Sequence, residues 1–227
     1  MKTLDFLRDV RIYQHIDGYR VSVDALLLYS FVRLKRIESI ADLGAGSGVI
    51  GLLLAKRYGN AKVLLIEIQE GLAKLASENI RLNGLENRVC LIHGDITEVS
   101  GRAEMAGAFD AVVSNPPFRR LKTGLVSTTD ERALARHEGA LTLSQLLRSA
   151  SIMLKHHGRL FIVHLPERLP EILLKMRQNS LEVKVLRFVH SYAHSNAKMV
   201  LIEAVRGAKP GGVKVINPLI IYNAPNT

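Results

Sequence analysis

The chain has 227 residues, 48% of them hydrophobic, and a formal net charge of +10. This length is typical of one domain with a short extension, and the hydrophobic content excludes a disordered chain. Short apolar runs interrupted by charges exclude a membrane span. The N-terminus has no long apolar segment, so we do not expect it to be a signal peptide. The single cysteine, Cys90, excludes an internal disulfide and favours a cytoplasmic protein; its apolar neighbours predict a buried strand position.

The positive charge is concentrated late in the chain. Residues 1–118 carry 14 basic and 14 acidic groups, residues 119–140 carry 5 and 3, and residues 141–227 carry 12 and 4. Such asymmetry favours a polyanionic partner. Charge alone leaves open the alternative of an inert, solvated basic surface.

Residues 1–36 are predicted to form an N-terminal extension that contains a hairpin and a helix. Residues 10–14 alternate like a strand, Asp17-Gly18 is a strong turn signal, and residues 19–21 can return as the second strand. Ser22 can cap a helix from Val23 to about Arg33, with Asp24 in its first turn. Helix capping explains Asp24 as well as a functional role does, so both interpretations stay open.

Residues 37–227 are predicted to form one α/β domain in which strands and helices alternate. Strands are predicted at 39–43, 62–67, 88–93, 109–114, 158–164, 181–189 and 198–205, and helices at 48–58, 69–82, 141–156 and 166–179. This order predicts a doubly wound, mostly parallel seven-stranded sheet of the Rossmann-like type, with an antiparallel pair at its end. Residues 119–140 show no clear period and are predicted to form a long loop at the site's edge, while the apolar tail at 213–222 is predicted to dock on the domain.

A glycine-rich segment, Asp42-Leu43-Gly44-Ala45-Gly46-Ser47-Gly48, lies between the first predicted parallel strand and its helix. Glycine permits positive φ and close approach of a ligand, and the helix that follows offers free N–H groups. The third glycine comes one place earlier than in the dinucleotide pattern G-x-G-x-x-G. The segment resembles the cofactor loop of S-adenosylmethionine (SAM)-dependent methyltransferases. Asp42 can hold loop N–H groups or act on the amino-acid end of the cofactor through water, and a tight turn without any ligand is the structural alternative.

Acidic residues follow the next two predicted strands, at ends that meet along one edge of a parallel sheet. Glu67 lies about 20 residues beyond the glycine loop, a spacing that suits an acceptor for ribose hydroxyls. Asp95 can accept a hydrogen bond from the exocyclic amine of a cofactor adenine, with the Ile96 N–H close to a ring nitrogen. The structural alternatives are a surface acid at Glu67 and a helix N-cap at Asp95.

The most specific pattern is Asn115-Pro116-Pro117-Phe118, directly after the fourth parallel strand. Two prolines remove two donors and stiffen the backbone, which leaves the Asn115 side-chain oxygen and the Pro116 carbonyl as fixed acceptors. Together they match the two hydrogens of an exocyclic NH₂ group and aim its nitrogen lone pair at a methyl group. Phe118 offers a face for base stacking, worth roughly 1–3 kcal/mol. The structural alternative is a rigid turn.

These two motifs together resemble class I SAM-dependent methyltransferases that act on amino nitrogens. Shorter motifs extend the similarity over nearly the whole chain: Tyr13-Gln14, residues 18–24, residues 66–69 and residues 217–223. They resemble one bacterial branch, the tRNA adenine-N6 methyltransferases that modify the adenine beside the anticodon of a valine tRNA. Ala45 departs from the cysteine common in this loop, and we expect no effect on function.

The resemblance implies SAM as the cofactor and an adenine in tRNA as the substrate. The methyl transfer needs no metal ion, the eight histidines show no ligand cluster, and we expect a monomer. The resemblance implies cofactor binding by Asp24, Asp42, Gly44, Ala45, Gly46, Glu67, Ile68, Asp95, Ile96 and Asn115. It implies catalysis by Asn115, Pro116, Pro117 and Phe118, and the basic residues after them suggest RNA binding by Arg119, Arg120, Lys122, Arg132 and Arg136. The alternatives are methylation of guanine N2 in ribosomal RNA or of a protein glutamine, a SAM- or RNA-binding module without catalysis, and a nicotinamide dehydrogenase.

Overall fold

The computed structural model of the chain describes residues 2–15, 21–117 and 141–222. Its strands are β1 (Lys2–Leu7), β2 (Val10–His15), β3 (Ser39–Leu43), β4 (Lys62–Glu67), β5 (Val89–His93), β6 (Phe109–Ser114), β7 (Leu154–His164), β8 (Leu181–His190), β9 (Ala197–Arg206), β10 (Lys214–Val215) and β11 (Leu219–Ile220). Its α-helices are α1 (Val23–Phe31), α2 (Val49–Arg57), α3 (Glu70–Leu82), α4 (Ile96–Ser100), α5 (Leu143–Met153) and α6 (Leu169–Gln178). Short 3₁₀ turns cover Ala103–Met105 and Pro166–Arg168.

The main sheet has the strand order β5-β4-β3-β6-β7-β9-β8. Strands β3 to β7 are parallel, and β9 runs antiparallel to both β7 and β8. The predicted doubly wound, mostly parallel sheet of seven strands is thereby confirmed. The tail adds two strands of two residues each, β10 and β11, which pair in parallel with β8.

Helices cover both faces of this sheet because successive strand residues point to opposite sides. Ile40 of β3 packs with α1, α2 and α3 on one face, whereas the next residue, Ala41, packs with α4, α5 and α6 on the other. Strands that are buried on both faces read as continuous apolar runs, as in Val63–Ile66 of β4. Among the described residues, none of the helices combines the length and the apolar character that crossing a membrane requires.

The N-terminal hairpin differs from the predicted one in its partner strand. Strand β2 pairs with β1 through a two-residue turn at Arg8-Asp9, and Val21 lies outside any strand. Arg8 adopts positive φ (53°), so this short turn closes a hairpin without glycine. The expected return strand at 19–21 was therefore wrong for Val21, and residues 19 and 20 lie outside the described residues. The division of the chain at residue 36 into an extension and a domain stays a prediction. Val10 and Ile12 of β2 belong to the same hydrophobic core as α2.

Two further sequence expectations need correction. Helix α5 ends at Met153 rather than near residue 156, because β7 begins at Leu154, earlier than expected, with an irregular register against β6. Cys90 is exposed rather than buried, since β5 is the edge strand of the sheet. The expected long loop at 119–140 lies outside the described residues.

Asn79 of α3 connects the hairpin to the glycine loop. Its side chain is fully buried, and its Nδ2 donates to the backbone oxygens of Tyr13 (3.2 Å) and Ser47 (3.0 Å). Its Oδ1 accepts the Tyr13 backbone N–H at 2.7 Å. One amide thus satisfies three backbone groups of two separate segments.

We expect Asn79→Ala to lower the free energy of unfolding by roughly 1–3 kcal/mol, because the buried groups of Tyr13 and Ser47 lose their partner. Denaturant unfolding followed by circular dichroism measures this change. Asn87→Ala, at an exposed position just beyond the same helix, is the control and should change the value by less than about 0.5 kcal/mol. Equal stability of the two variants would contradict the bridging role of Asn79.

Candidate active site

A cavity of about 740 Å³ opens where β3, β4, β6 and β7 end. Ligands of doubly wound sheets bind at this carboxyl edge, and the volume lies in the usual range for small-molecule sites. The structure brings eleven of the sequence-predicted residues to its wall: Asp24, Gly44, Ala45, Gly46, Glu67, Ile68, Asp95, Ile96, Asn115, Pro116 and Pro117. The convergence expected from strand ends alone is therefore present in the structure.

The glycine loop forms one wall through its backbone. Gly44 and Gly46 have φ values of 73° and 59°, and Gly48, the N-cap residue of α2, has a φ of 87°. A side chain at these positions would be strained, which explains the glycines. The N–H groups of Gly44 and Ala45 donate to the Ile66 carbonyl at 2.9 and 3.0 Å, so the loop is fixed to the end of β4.

Glu67 reinforces the same connection from its side chain. It is 3% exposed, its Oε2 accepts the Gly46 N–H at 2.8 Å, and its Oε1 accepts the Gln69 N–H at 2.9 Å. An ionised carboxylate has about four acceptor sites, so these two bonds leave capacity for ligand hydroxyls. Glu67 therefore shapes the glycine loop and also presents acceptors at the cavity wall.

Asp42 is the predicted cofactor residue that the structure does not bring to the cavity wall. It lies beneath the loop and is 1% exposed, and its Oδ2 accepts the Gly51 N–H in the first turn of α2 at 2.9 Å. A Cβ on Gly51 would stand 3.3 Å from that oxygen and 2.2 Å from Leu65 Cδ2, so glycine allows the close approach. Burial raises the pKa of Asp42 to about 7, opposed by the Gly51 hydrogen bond and supported by the charge of Glu67.

Asp95 is the N-cap of a helix, as its structural alternative predicted, and it also lines the cavity. Its Oδ1 accepts both the N–H and the hydroxyl of Thr97 at 2.6 Å and caps α4. Asp24 on α1 is half-buried, and burial raises its pKa, with the nearby Ser22 hydroxyl acting in the opposite direction. Together with Glu67, these residues bring three carboxyl groups to the lining of the cavity. We call these three residues the acidic wall.

Asn115 follows β6 directly and is half-buried at the cavity. The preceding residue, Ser114, donates its hydroxyl to the Leu43 carbonyl at 2.7 Å and so fixes the end of β6 to the end of β3. Asn115 and the glycine loop are therefore held on adjacent strands. Phe118 and the predicted RNA-binding residues Arg119, Arg120, Lys122, Arg132 and Arg136 lie outside the described residues.

The cavity lining also contains polar residues that the sequence reasoning missed. They are His164 at the end of β7, Arg168 in the turn that follows, and Glu171 and Lys175 on α6. His164 is the last residue of β7, as Glu67 is the last residue of β4, so the strand-end rule applied once more would have found it. It is 1% exposed, and burial together with the Arg168 charge lowers its pKa to about 4, against the opposing charge of Glu171.

Solved structures with this fold define the class of protein. The chain aligns with a predicted O-methyltransferase from Agrobacterium tumefaciens at a TM-score of 0.72 and 25% identity, covering 90% of both chains. It aligns with M. jannaschii TYW2, solved in complex with AdoMet, at a TM-score of 0.61 and 18% identity, covering 90% of this chain and 85% of that one. The fold is thus the Rossmann-like fold of methyltransferases.

The family follows from the sequence comparisons. The model of the methyltransferase small domain matches residues 20–187, and the chain belongs to this family. A tRNA1(Val) (adenine(37)-N6)-methyltransferase from Porphyromonas gingivalis is 33% identical over 189 residues, which cover 81% of this chain and 73% of that protein. A protein of the same name from Shewanella is 34% identical over 148 residues, covering 63% of this chain and 61% of that protein.

Family membership confirms the prediction of an enzyme, a methyltransferase that uses SAM. The residues around the cavity fit this cofactor. SAM carries a positive sulfonium and an ammonium group, and the acidic wall offers Asp24, Glu67 and Asp95 to a cation. Beneath the loop, Asp42 Oδ1 is buried and has no hydrogen-bond partner among the described residues.

Proposed function

We propose that the chain transfers the methyl group of SAM to the exocyclic N6 of an adenine in tRNA, the anticodon-loop adenine of a valine tRNA. The observation that carries the proposal is the position of Asn115-Pro116 at the wall of the cavity that also holds the glycine loop and the acidic wall. The names of the 33–34% identical relatives support this substrate.

Bound SAM would supply a methyl group activated by its sulfonium. In our proposal Glu67 accepts hydrogen bonds from the ribose hydroxyls, and Asp95 with Ile96 receives the adenine ring of the cofactor. Asp24, the backbone of residues 44–46 and Ile68 complete that half of the site. Asp42 acts from beneath the loop through its charge.

The Asn115 side-chain oxygen and the Pro116 carbonyl would accept the two hydrogens of the target N6. An aromatic amine delocalises its lone pair into the ring, and two fixed acceptors draw the nitrogen toward tetrahedral geometry. The lone pair then points at the methyl group, and the proton leaves to water after transfer. Catalysis rests chiefly on positioning of the amine, so a strong general base is not required.

A base can reach this cavity only after it leaves its stack. An anticodon loop suits this requirement because its bases splay out readily. We further propose that the basic residues at 119–136 bind RNA phosphates, that the protein acts as a cytoplasmic monomer, and that residues 1–36 form an extension beside the methyltransferase domain. Binding should then weaken as the salt concentration rises.

Incubation of the purified protein with SAM and unmodified valine tRNA, followed by nucleoside mass spectrometry, tests the proposal. We expect N6-methyladenosine to accumulate, and fragment mapping to place it beside the anticodon. Ribosomal RNA and total protein, incubated in parallel, are the competing substrates. Methylation of guanine N2 or of glutamine without any N6-methyladenosine would overturn the proposed substrate.

A further inference from the structure

Five polar residues of the cavity lining form a connected cluster, which we call the basic cluster: His164, Arg168, Glu171, Lys175 and Ser144. Nε and Nη2 of Arg168 both donate to Glu171 Oε2 at 3.3 Å. Lys175 Nζ lies 3.9 Å from Glu171 Oε1 and donates to the Ser144 hydroxyl at 2.5 Å. One carboxylate therefore holds two cations in fixed positions at the cavity wall.

His164 is connected to Arg168 within the cluster. Its Nδ1 accepts the Leu165 N–H at 2.7 Å, and its Nε2 lies 3.4 Å from Arg168 Nη1. With its pKa lowered to about 4, the imidazole is neutral at physiological pH and adds no charge. The cluster consequently carries two positive charges and one negative charge.

Charged residues of both signs line the cavity. Arg168 and Lys175 are the cations among the described residues that line it, whereas Asp24, Glu67 and Asp95 lie on the acidic wall. The side chains of Arg168 and Lys175 are 17% and 27% exposed, so water screens their charge less than on an open surface. An anionic group entering the cavity is repelled by the acidic wall and attracted by the basic cluster.

We propose that Arg168 and Lys175 bind a backbone phosphate of the RNA next to the nucleotide whose base enters the cavity. This inference rests on the proposed function, because a base presented to Asn115 from an RNA strand remains attached to a phosphate on either side. The planar guanidinium of Arg168 suits phosphate oxygens, and Lys175 adds a second donor. Glu171 holds both cations in place before the RNA arrives.

Binding of the valine tRNA anticodon stem-loop at several salt concentrations tests the subsite. We expect Arg168→Gln and Lys175→Gln each to weaken binding about tenfold and to reduce the slope of log affinity against log salt by about one. Affinity for SAM, measured by calorimetry, should stay within twofold. Arg177→Gln is the matched control: it removes one positive charge from an exposed position at the far end of the same helix, away from the cavity.

A second arm uses the wild-type protein and so does not depend on how the variants fold. A stem-loop with uncharged methylphosphonate linkages on both sides of the target adenosine should bind the wild type about tenfold more weakly. The same RNA should weaken binding by Arg168→Gln and by Lys175→Gln less than it weakens binding by the wild type, because each variant has already lost one of the two cationic contacts.

The outcomes separate this inference from the proposed function. If the wild type methylates adenine in the stem-loop while Arg168→Gln and Lys175→Gln bind it as Arg177→Gln does, the phosphate subsite is wrong and the proposed function stands. If the methylphosphonate linkages weaken binding by the same factor in the wild type and in both variants, the proposed phosphate subsite is wrong as well. If the wild type methylates no RNA at all, the proposed function fails and the subsite fails with it.

Discussion

Replacing Asn115 by alanine is expected to slow methyl transfer by roughly 10²–10³-fold, the usual cost of removing one preorganised hydrogen-bonding group from a reacting centre. The side-chain oxygen is one of the two acceptors that we assign to the target amine. Without it the nitrogen lone pair stays delocalised in the adenine ring and is no longer aimed at the methyl group. Because Ser114 fixes the end of β6 through the Leu43 carbonyl, the backbone should keep its place in the variant.

Single-turnover rates at saturating SAM and RNA measure this effect separately from binding. Asn115→Asp retains an oxygen acceptor of the same size and should fall between the wild type and Asn115→Ala. Thermal unfolding and RNA affinity serve as controls, and both should change little in either variant. A rate for Asn115→Ala within tenfold of the wild type would show that Asn115 does not orient the amine.

The strand-end residues show why so much of the site could be predicted from sequence. In a parallel sheet every strand finishes at the same edge, so a residue directly after a predicted strand is a residue near the ligand. Glu67, Asp95 and Asn115 needed only this rule and correct strand ends, and all three line the cavity. Apolar runs that end in polar residues made those strand ends clear.

Other parts of the site depend on tertiary packing that local patterns do not encode. The basic cluster unites Arg168, Glu171 and Lys175 with Ser144 of a different helix, and no sequence spacing indicates that α5 and α6 meet there. The position of the hairpin turn was not predictable from local patterns either. Asp17-Gly18 is the stronger turn signal, but β2 pairs with β1 through the turn at Arg8-Asp9. Gln14 accounts for this choice in part, because its side chain contacts Asp5 of β1 and accepts the Val21 N–H.

Asp42 shows most clearly what the sequence cannot predict, because the sequence gives the residue type but not how deeply the side chain is buried. Its carboxyl group has an ordinary pKa of 3.8, and burial raises the pKa to about 7 in the folded protein. Between these values the folded state binds more protons than the unfolded state, so stability falls as the pH rises through this range. The full loss above pH 7 is on the order of 4 kcal/mol.

We therefore expect Asp42→Asn to be more stable than the wild type at pH 8 and less stable than the wild type near pH 4, where the wild-type carboxyl group is protonated and carries no buried charge. The amide oxygen can still accept the Gly51 N–H, while the buried charge is removed. The new NH₂ group lacks a partner where Asp42 Oδ1 now lies, which offsets roughly 1–3 kcal/mol of the gain and leaves about 2 kcal/mol. Denaturant unfolding of both proteins between pH 4 and 8 measures the difference, and Glu98→Gln at an exposed position is the control.

Asp42→Asn should also weaken the binding of SAM, because the variant lacks the buried negative charge that would attract the cationic cofactor. A cationic ligand stabilises the ionised carboxylate, so SAM should bind the wild type more tightly as the pH rises from 5.5 to 8 and should release a proton on binding. Asp42→Asn should bind SAM more weakly and with little pH dependence in calorimetry. A variant that equals the wild type in SAM affinity at pH 8 would mean that Asp42 holds only Gly51, and its costly burial would then serve the fold of the glycine loop alone.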